Sequence, residues 1–134
     1  DAELAVRIPE WAECFTVALN GTRVVSDKLD GFVFIKGIKD NDTIELDIPM
    51  KPQRIYANVN VRSDVGCVAI QRGPVMYCME GVDNGDSLHL VTLPRESELT
   101  YEYRPELLSG VGTIKAAGER LEQTDERLYS SSVN

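Results

Sequence analysis

The chain has 134 residues and a mass of 14.9 kDa, the usual size of one domain, with a formal charge of −8 and a sequence pI near 4.6. Such an acidic surface repels phosphate backbones, so nucleic acid is not an expected partner, and neither is a membrane surface that needs a basic helix. A folded monomer of this mass keeps roughly 7,000 Å² accessible, and so can bury one core without disulfide or metal staples.

Period two runs through the chain. In "LAVRI", residues 4–8, Leu4, Val6 and Ile8 share one face of a strand. "PEWAE", residues 9–13, has room for about one helical turn. "CFTVAL" alternates Phe15, Val17 and Leu19 against Cys14, Thr16 and Ala18. Asn20-Gly21 then predicts a type I′ hairpin, because both central residues need positive φ, and "TRVVS" returns. "GFVFIKG", residues 31–37, is apolar on both faces and predicts a strand covered on both sides. "TIELDI" turns Ile44, Leu46 and Ile48 inward and leaves Thr43, Glu45 and Asp47 in water. "CVAIQRGPVMYCME", residues 67–80, is again apolar on both faces. "SLHLVTL" and "LTYEY" read as further strands, while "GERLEQTDERLY", residues 118–129, is polar with weak helical potential. Turn residues separate the runs at Asp30-Gly31, Asp40-Asn41-Asp42, Asp64-Val65-Gly66 and Asp83-Asn84-Gly85. The expectation is an all-β fold, an antiparallel jelly-roll-like β-sandwich with at most short helical turns, over residues 1–117, followed by a polar segment at 118–134.

Residues with catalytic chemistry are sparse. Cys14, Cys67 and Cys78 fit neither a zinc pattern nor a disulfide framework, so free, partly buried thiols are expected. The single histidine, His89, reads as a strand residue rather than a ligand. The turn Lys39–Asp42 lacks the glycine and distal glutamate of a calcium loop. Asn20-Gly21-Thr22 and Asn41-Asp42-Thr43 match a glycosylation pattern but read as turns. Glu45 and Asp47 have the spacing of a glycosidase pair, but they lie on a solvated strand face. No apolar run approaches the ~18 residues of a membrane span, and no basic start precedes an apolar segment, so no signal peptide is expected; compartment stays open.

Four segments in a fixed order, "RIPEWAE", "TVALNG", "NDTIELDIPM" and "VAIQRGPVMYCMEGVDN", resemble the β-sandwich region of glycoside hydrolase family 127, the β-L-arabinofuranosidase-like proteins. The resemblance is strong over residues 2–94 and loose over 95–117. It departs at Ile38 and Asn41, where the family usually has tryptophan and glycine, and nothing after "GTIKAAGER" matches the family's last strand. It implies an (α/α)6 catalytic barrel elsewhere in a longer chain. There a cysteine thiolate attacks the sugar, zinc tunes it and a glutamate serves as acid/base. The paired-cysteine motif is absent from this chain, so no catalytic, cofactor-binding or metal residue is carried over, and Cys67 and Cys78 are not equated with it. Two functions are then open: a non-catalytic domain that supports the barrel, or a carbohydrate-binding module using exposed aromatics such as Trp11, Tyr101 and Tyr103.

Within the most specific segment, Arg72-Gly73-Pro74 is the odd element, because proline donates no ladder bond and arginine is rarely buried alone. The preferred expectation is a bent central strand with Pro74 at a bulge. The alternative is a tight hairpin at Arg72-Gly73, which opposes Cys67 to Cys78. Arg72, Gly73 and Pro74 are the candidate interdomain contact, with Arg72 offering its fork to the barrel; internal pairing of Arg72 with Glu80 or Asp64 is the competing reading. An open sheet edge, left by the missing last strand, is expected to favour self-association or to be covered by the tail "LYSSSVN".

Overall fold

The computed structural model describes residues 2–122 and Tyr129. It is all-β, its sheets are antiparallel, and its helical elements span three or four residues each. The chain forms two compact units, Asp1–Lys51 and Pro52–Asn134, dividing the span 1–117 that the sequence suggested as one sandwich. The core is thinner than the composition suggests. Among the described residues only Ile8, Val17, Val33 and Ile35 are fully buried hydrophobics.

The first unit is a small sandwich. Strand β1 (Ala2–Arg7) pairs with β4 (Phe32–Ile38), and β2 (Thr16–Leu19) pairs with both β3 (Thr22–Val24) and β5 (Ile44–Asp47). Leu4 and Val6 lie opposite Ile35 and Val33. Val17 answers from the other sheet, and Ile8, Phe15, Leu19, Val24 and Ile44 complete the cluster. The "PEWAE" segment forms a single turn closed by the Ala12 amide on the Pro9 carbonyl at 3.2 Å, which sets Ala12 against this core. One expectation fails here: β4 is not covered on both faces. Val33 and Ile35 are buried, but Phe32 and Phe34 are about one-third exposed on the outer side, 6.4 Å apart between ring centroids.

Asn20-Gly21 forms the expected hairpin, with φ of 51° and 75°, the signs a type I′ turn requires. The Asn20 side chain also ties this turn to the next. Its Oδ1 accepts from the Thr43 amide at 2.9 Å, and its Nδ2 donates to Asp42 Oδ1 at 2.8 Å. Asp42 Oδ2 accepts from the Lys39 amide at 2.8 Å. The Asn20 bond first, then the Lys39 amide, holds the Asp42 carboxyl below its ordinary value. Replacing Asn20 with glycine keeps the positive φ and removes the side-chain bonds. The expected result is that Asp42 titrates at higher pH in Asn20→Gly, read by NMR of its carboxyl carbon. With the folded pKa below the unfolded one, this contribution to stability is present above the ordinary carboxylate range. It is lost as pH falls through the folded value. An unmoved Asp42 midpoint would contradict the role given to Asn20.

Among the described residues the second unit holds three sheets. The first has the order β6 (Pro52–Ile55), β7 (Ala69–Arg72) and β8 (Val75–Tyr77). The second pairs β10 (Thr100–Arg104) with β11 (Val111–Lys115), and the third pairs β9 (Val91–Thr92) with β12 (Glu119–Arg120). A one-turn helix α1 (Gly81–Asn84) ends at Gly85, whose φ is 77°. Arg120 fastens the end of this helix: its Nη1 donates to the Asp86 carbonyl at 2.7 Å and its Nη2 to the Asn84 carbonyl at 2.6 Å. Two expectations are corrected. "SLHLVTL" is not one strand, because Ser87 takes a left-handed conformation and Leu88–Leu90 form a 3-10 turn, leaving only Val91 and Thr92 extended. The start of the polar segment is strand, not helix, since Glu119 and Arg120 pair with Thr92 and Val91. Most of the remaining segment, including the tail expected along an open edge, lies outside the described residues.

Candidate functional site

The Arg72-Gly73-Pro74 element is neither of the two forms expected. Arg72 faces Val75 and Ile70 faces Tyr77, so β7 and β8 form a hairpin whose two-residue loop is Gly73-Pro74. The bent strand is thus overturned, and so is the hairpin at Arg72-Gly73, because the turn falls one residue later. Cys67 and Cys78 are not a cross-strand pair; they and Cys14 are free thiols as expected, but exposed rather than partly buried. The backbone explains the choice. Gly73 has φ of 57°, while the ring holds Pro74 near −65°, the signs of a type II′ turn. In a two-residue loop the missing N–H of Pro74 costs no ladder bond. Gln71 Nε2 donates to the Gly73 carbonyl at 2.9 Å and steadies the turn. The central place expected for this segment holds for β7, which lies between β6 and β8.

The register puts Arg54, Ile70, Arg72 and Tyr77 on one face of this sheet. Arg54 Nη2 donates to the carbonyl oxygens of Pro94, at 3.3 Å, and of Ser97. Arg72 behaves differently. Its Cζ lies 3.6 Å from the centroid of the Tyr101 ring, so the guanidinium rests on the ring face. Neither Glu80 nor Asp64 pairs with it among the described residues, where the ion pairs are Lys36–Glu3, Arg104–Glu106 and Lys115–Glu102. The Nε atoms of both Arg54 and Arg72 are buried without a hydrogen-bond partner.

Tyr101 also lies close against β11. A Cβ at Gly112 would overlap the Tyr101 ring, and one at Gly110 would overlap the Tyr103 hydroxyl. Gly112 on β11 and Gly110 just before it therefore accept rings two apart on β10. Nothing in the single chain distinguished Tyr101 as the partner of Arg72, and neither Arg54 nor Gly112 was singled out. The period-two match of Tyr101 and Tyr103 with Gly110 and Gly112 was the available signal.

The remaining candidates do not converge. Glu45 and Asp47 are exposed on β5, and His89 is exposed in the 3-10 turn. A groove of about 600 Å³ lies among Tyr56, Val59, Asp64, Val65, Cys67 and Arg95. Arg95 stands 5.4 Å over the Tyr56 ring. Among the described residues no three His, Cys, Asp or Glu side chains gather as a metal ion needs.

Comparison with known proteins divides the chain at the same place as the fold. Residues 1–50 match the "Beta-L-arabinofuranosidase, GH127 middle domain" and residues 52–116 the "Glycoside hydrolase family 127 C-terminal domain". The chain is 36% identical over 132 residues to the non-reducing end β-L-arabinofuranosidase of Bifidobacterium longum subsp. longum, covering 92% of this chain and 20% of that protein. It superposes with a TM-score of 0.90 on the crystal structure of a family 127 β-L-arabinofuranosidase from Geobacillus stearothermophilus. There the identity is 36%, and the match covers 97% of this chain and 21% of the other. A solved family 127 β-arabinofuranosidase gives a TM-score of 0.82 at 31% identity, covering 89% of this chain and 22% of its own. The chain thus spans about a fifth of the length of these relatives.

Proposed function

Because the chain belongs to glycoside hydrolase family 127, we propose that it is a non-catalytic β-domain region of a β-L-arabinofuranosidase-like hydrolase, with the (α/α)6 catalytic barrel of a longer chain as its partner. One observation carries this reading: the matched regions are the family's middle and C-terminal domains. On the family resemblance, the nucleophile, the acid/base and zinc belong to the barrel. The Arg72-Gly73-Pro74 turn is the contact offered to it. The outer edge of β8, which pairs only with β7 among the described residues, is available for strand pairing with a second copy.

The competing reading is direct glycan binding. Stacking on a sugar needs an open aromatic face, and the Arg72 guanidinium covers a face of Tyr101 while Gly112 lies close against the same ring. Tyr103 is 59% exposed and is the strongest remaining platform. Titration with millimolar arabinan oligosaccharides separates the two. Trp11 fluorescence reports on the first unit and tyrosine ring NMR signals on the second. The expected result is no saturable change in either. Saturable binding abolished by Tyr103→Ala would establish a carbohydrate-binding module instead.

A further inference from the structure

Arg72 poses a problem of charge. The protein carries a net charge of −8, yet this half-buried guanidinium meets no carboxylate among the described residues. Its Nε is buried without a partner, and buried donors in native structures nearly always have one. Arg54, on the same sheet face, reaches two backbone carbonyls through Nη2, whereas no hydrogen bond of Arg72 is found among the described residues.

The geometry explains what such a group can bind. Contact with Tyr101 uses the flat face of the guanidinium. Its donors lie in the plane of the group; Nε is covered, and the two Nη groups form the edge that a partner below the face leaves free. The ring lies so close to Gly112 that a Cβ there would overlap it. The planar fork is thereby fixed before any partner arrives, so little rotamer freedom is lost when two parallel N–H···O bonds form. We propose that the edge of Arg72, backed by Tyr101, is a carboxylate-binding site. The shared chemistry is a single carboxylate held bidentately, from an acidic side chain of another protein region or from a small free acid. With a protein side chain as the source, the site rests on the reading of Arg72 as a contact to the barrel; with a free acid it does not.

The test reads the Nε–Hε signals of the arginines by ¹⁵N NMR in the 134-residue chain. Acetate should move the Arg72 signal saturably. Chloride at equal ionic strength and neutral acetamide should not, and the Arg95 signal should stay in place. Tyr101→Phe keeps the ring and should retain the response, Tyr101→Ala should weaken it several-fold, and Arg72→Lys should remove the bidentate shift. If a variant fails to fold, the acetate, chloride and acetamide arms on the unaltered chain still decide. A response to an acetyl-glutamate peptide tenfold tighter than to galacturonate assigns a protein side chain as the source; the reverse assigns a free acid. An Arg72 signal that ignores acetate, or follows chloride equally, overturns the proposal. Turnover or glycan binding by the chain would sink the accessory reading and leave this titration unchanged.

Discussion

Purified by itself, the 134-residue chain is expected to release no nitrophenol from a nitrophenyl β-L-arabinofuranoside above the uncatalysed rate, with or without zinc. Enzymes of ordinary power exceed that rate by at least ~10⁶-fold, so the expected loss is complete on any practical scale. The reason is geometric. Retaining hydrolysis needs two groups facing each other across one sugar, about 5–5.5 Å apart where both are carboxylates, in a site that excludes water. Glu45 and Asp47 stand on the exposed side of β5. The groove beside Cys67 brings one carboxylate, Asp64, to an exposed thiol. Cys67→Ser and Cys78→Ser should therefore leave the background rate where it is. Zinc-dependent turnover that either substitution abolishes would refute the non-catalytic reading.

The second large effect is on stability. Val33→Asp is expected to abolish the fold of the first unit, while Phe34→Asp, one residue along the same strand, should cost within about 1 kcal/mol. Val33 is 0% exposed in a core of four fully buried side chains, whereas Phe34 is 38% exposed on the other face of β4. An aspartate at position 33 must bury a charge with no polar partner or be protonated, and either costs several kcal/mol. A core this thin has little to set against that. Hydrogen exchange resolved by residue is the measurement: protection across β1–β5 should vanish in Val33→Asp and persist in Phe34→Asp. Equal protection in the two variants would mean that the inner and outer faces of β4 are wrongly assigned.

The contrast between these two positions shows why part of the fold could be read in advance. Alternation marks the two faces of a strand, and Asn20-Gly21 requires positive φ, so both features are local. They predicted β1, β2, the first hairpin, β5 and β10 within a few residues. Alternation cannot say how much of a second apolar face is covered, which is why Phe32 and Phe34 were expected to be buried. β6 was missed because "PQRI" opens with proline and alternates weakly, and β11 because Gly112 carries no side chain to signal a face.

The sequence by itself determined the all-β class, the positions of most turns and, through four short segments in order, the family. These rest on backbone preferences and side-chain periods that neighbouring residues set among themselves. Tertiary structure decided the rest. It closed β7 and β8 at Gly73-Pro74 rather than bending one strand, because a closed ladder satisfies backbone groups that a bulge leaves unpaired. It also placed Arg72 on Tyr101, 29 positions away, rather than on Glu80 or Asp64. That partnership depends on β11 offering a glycine where the ring must lie. Such a contact is made only when distant strands meet, so no local pattern encodes it.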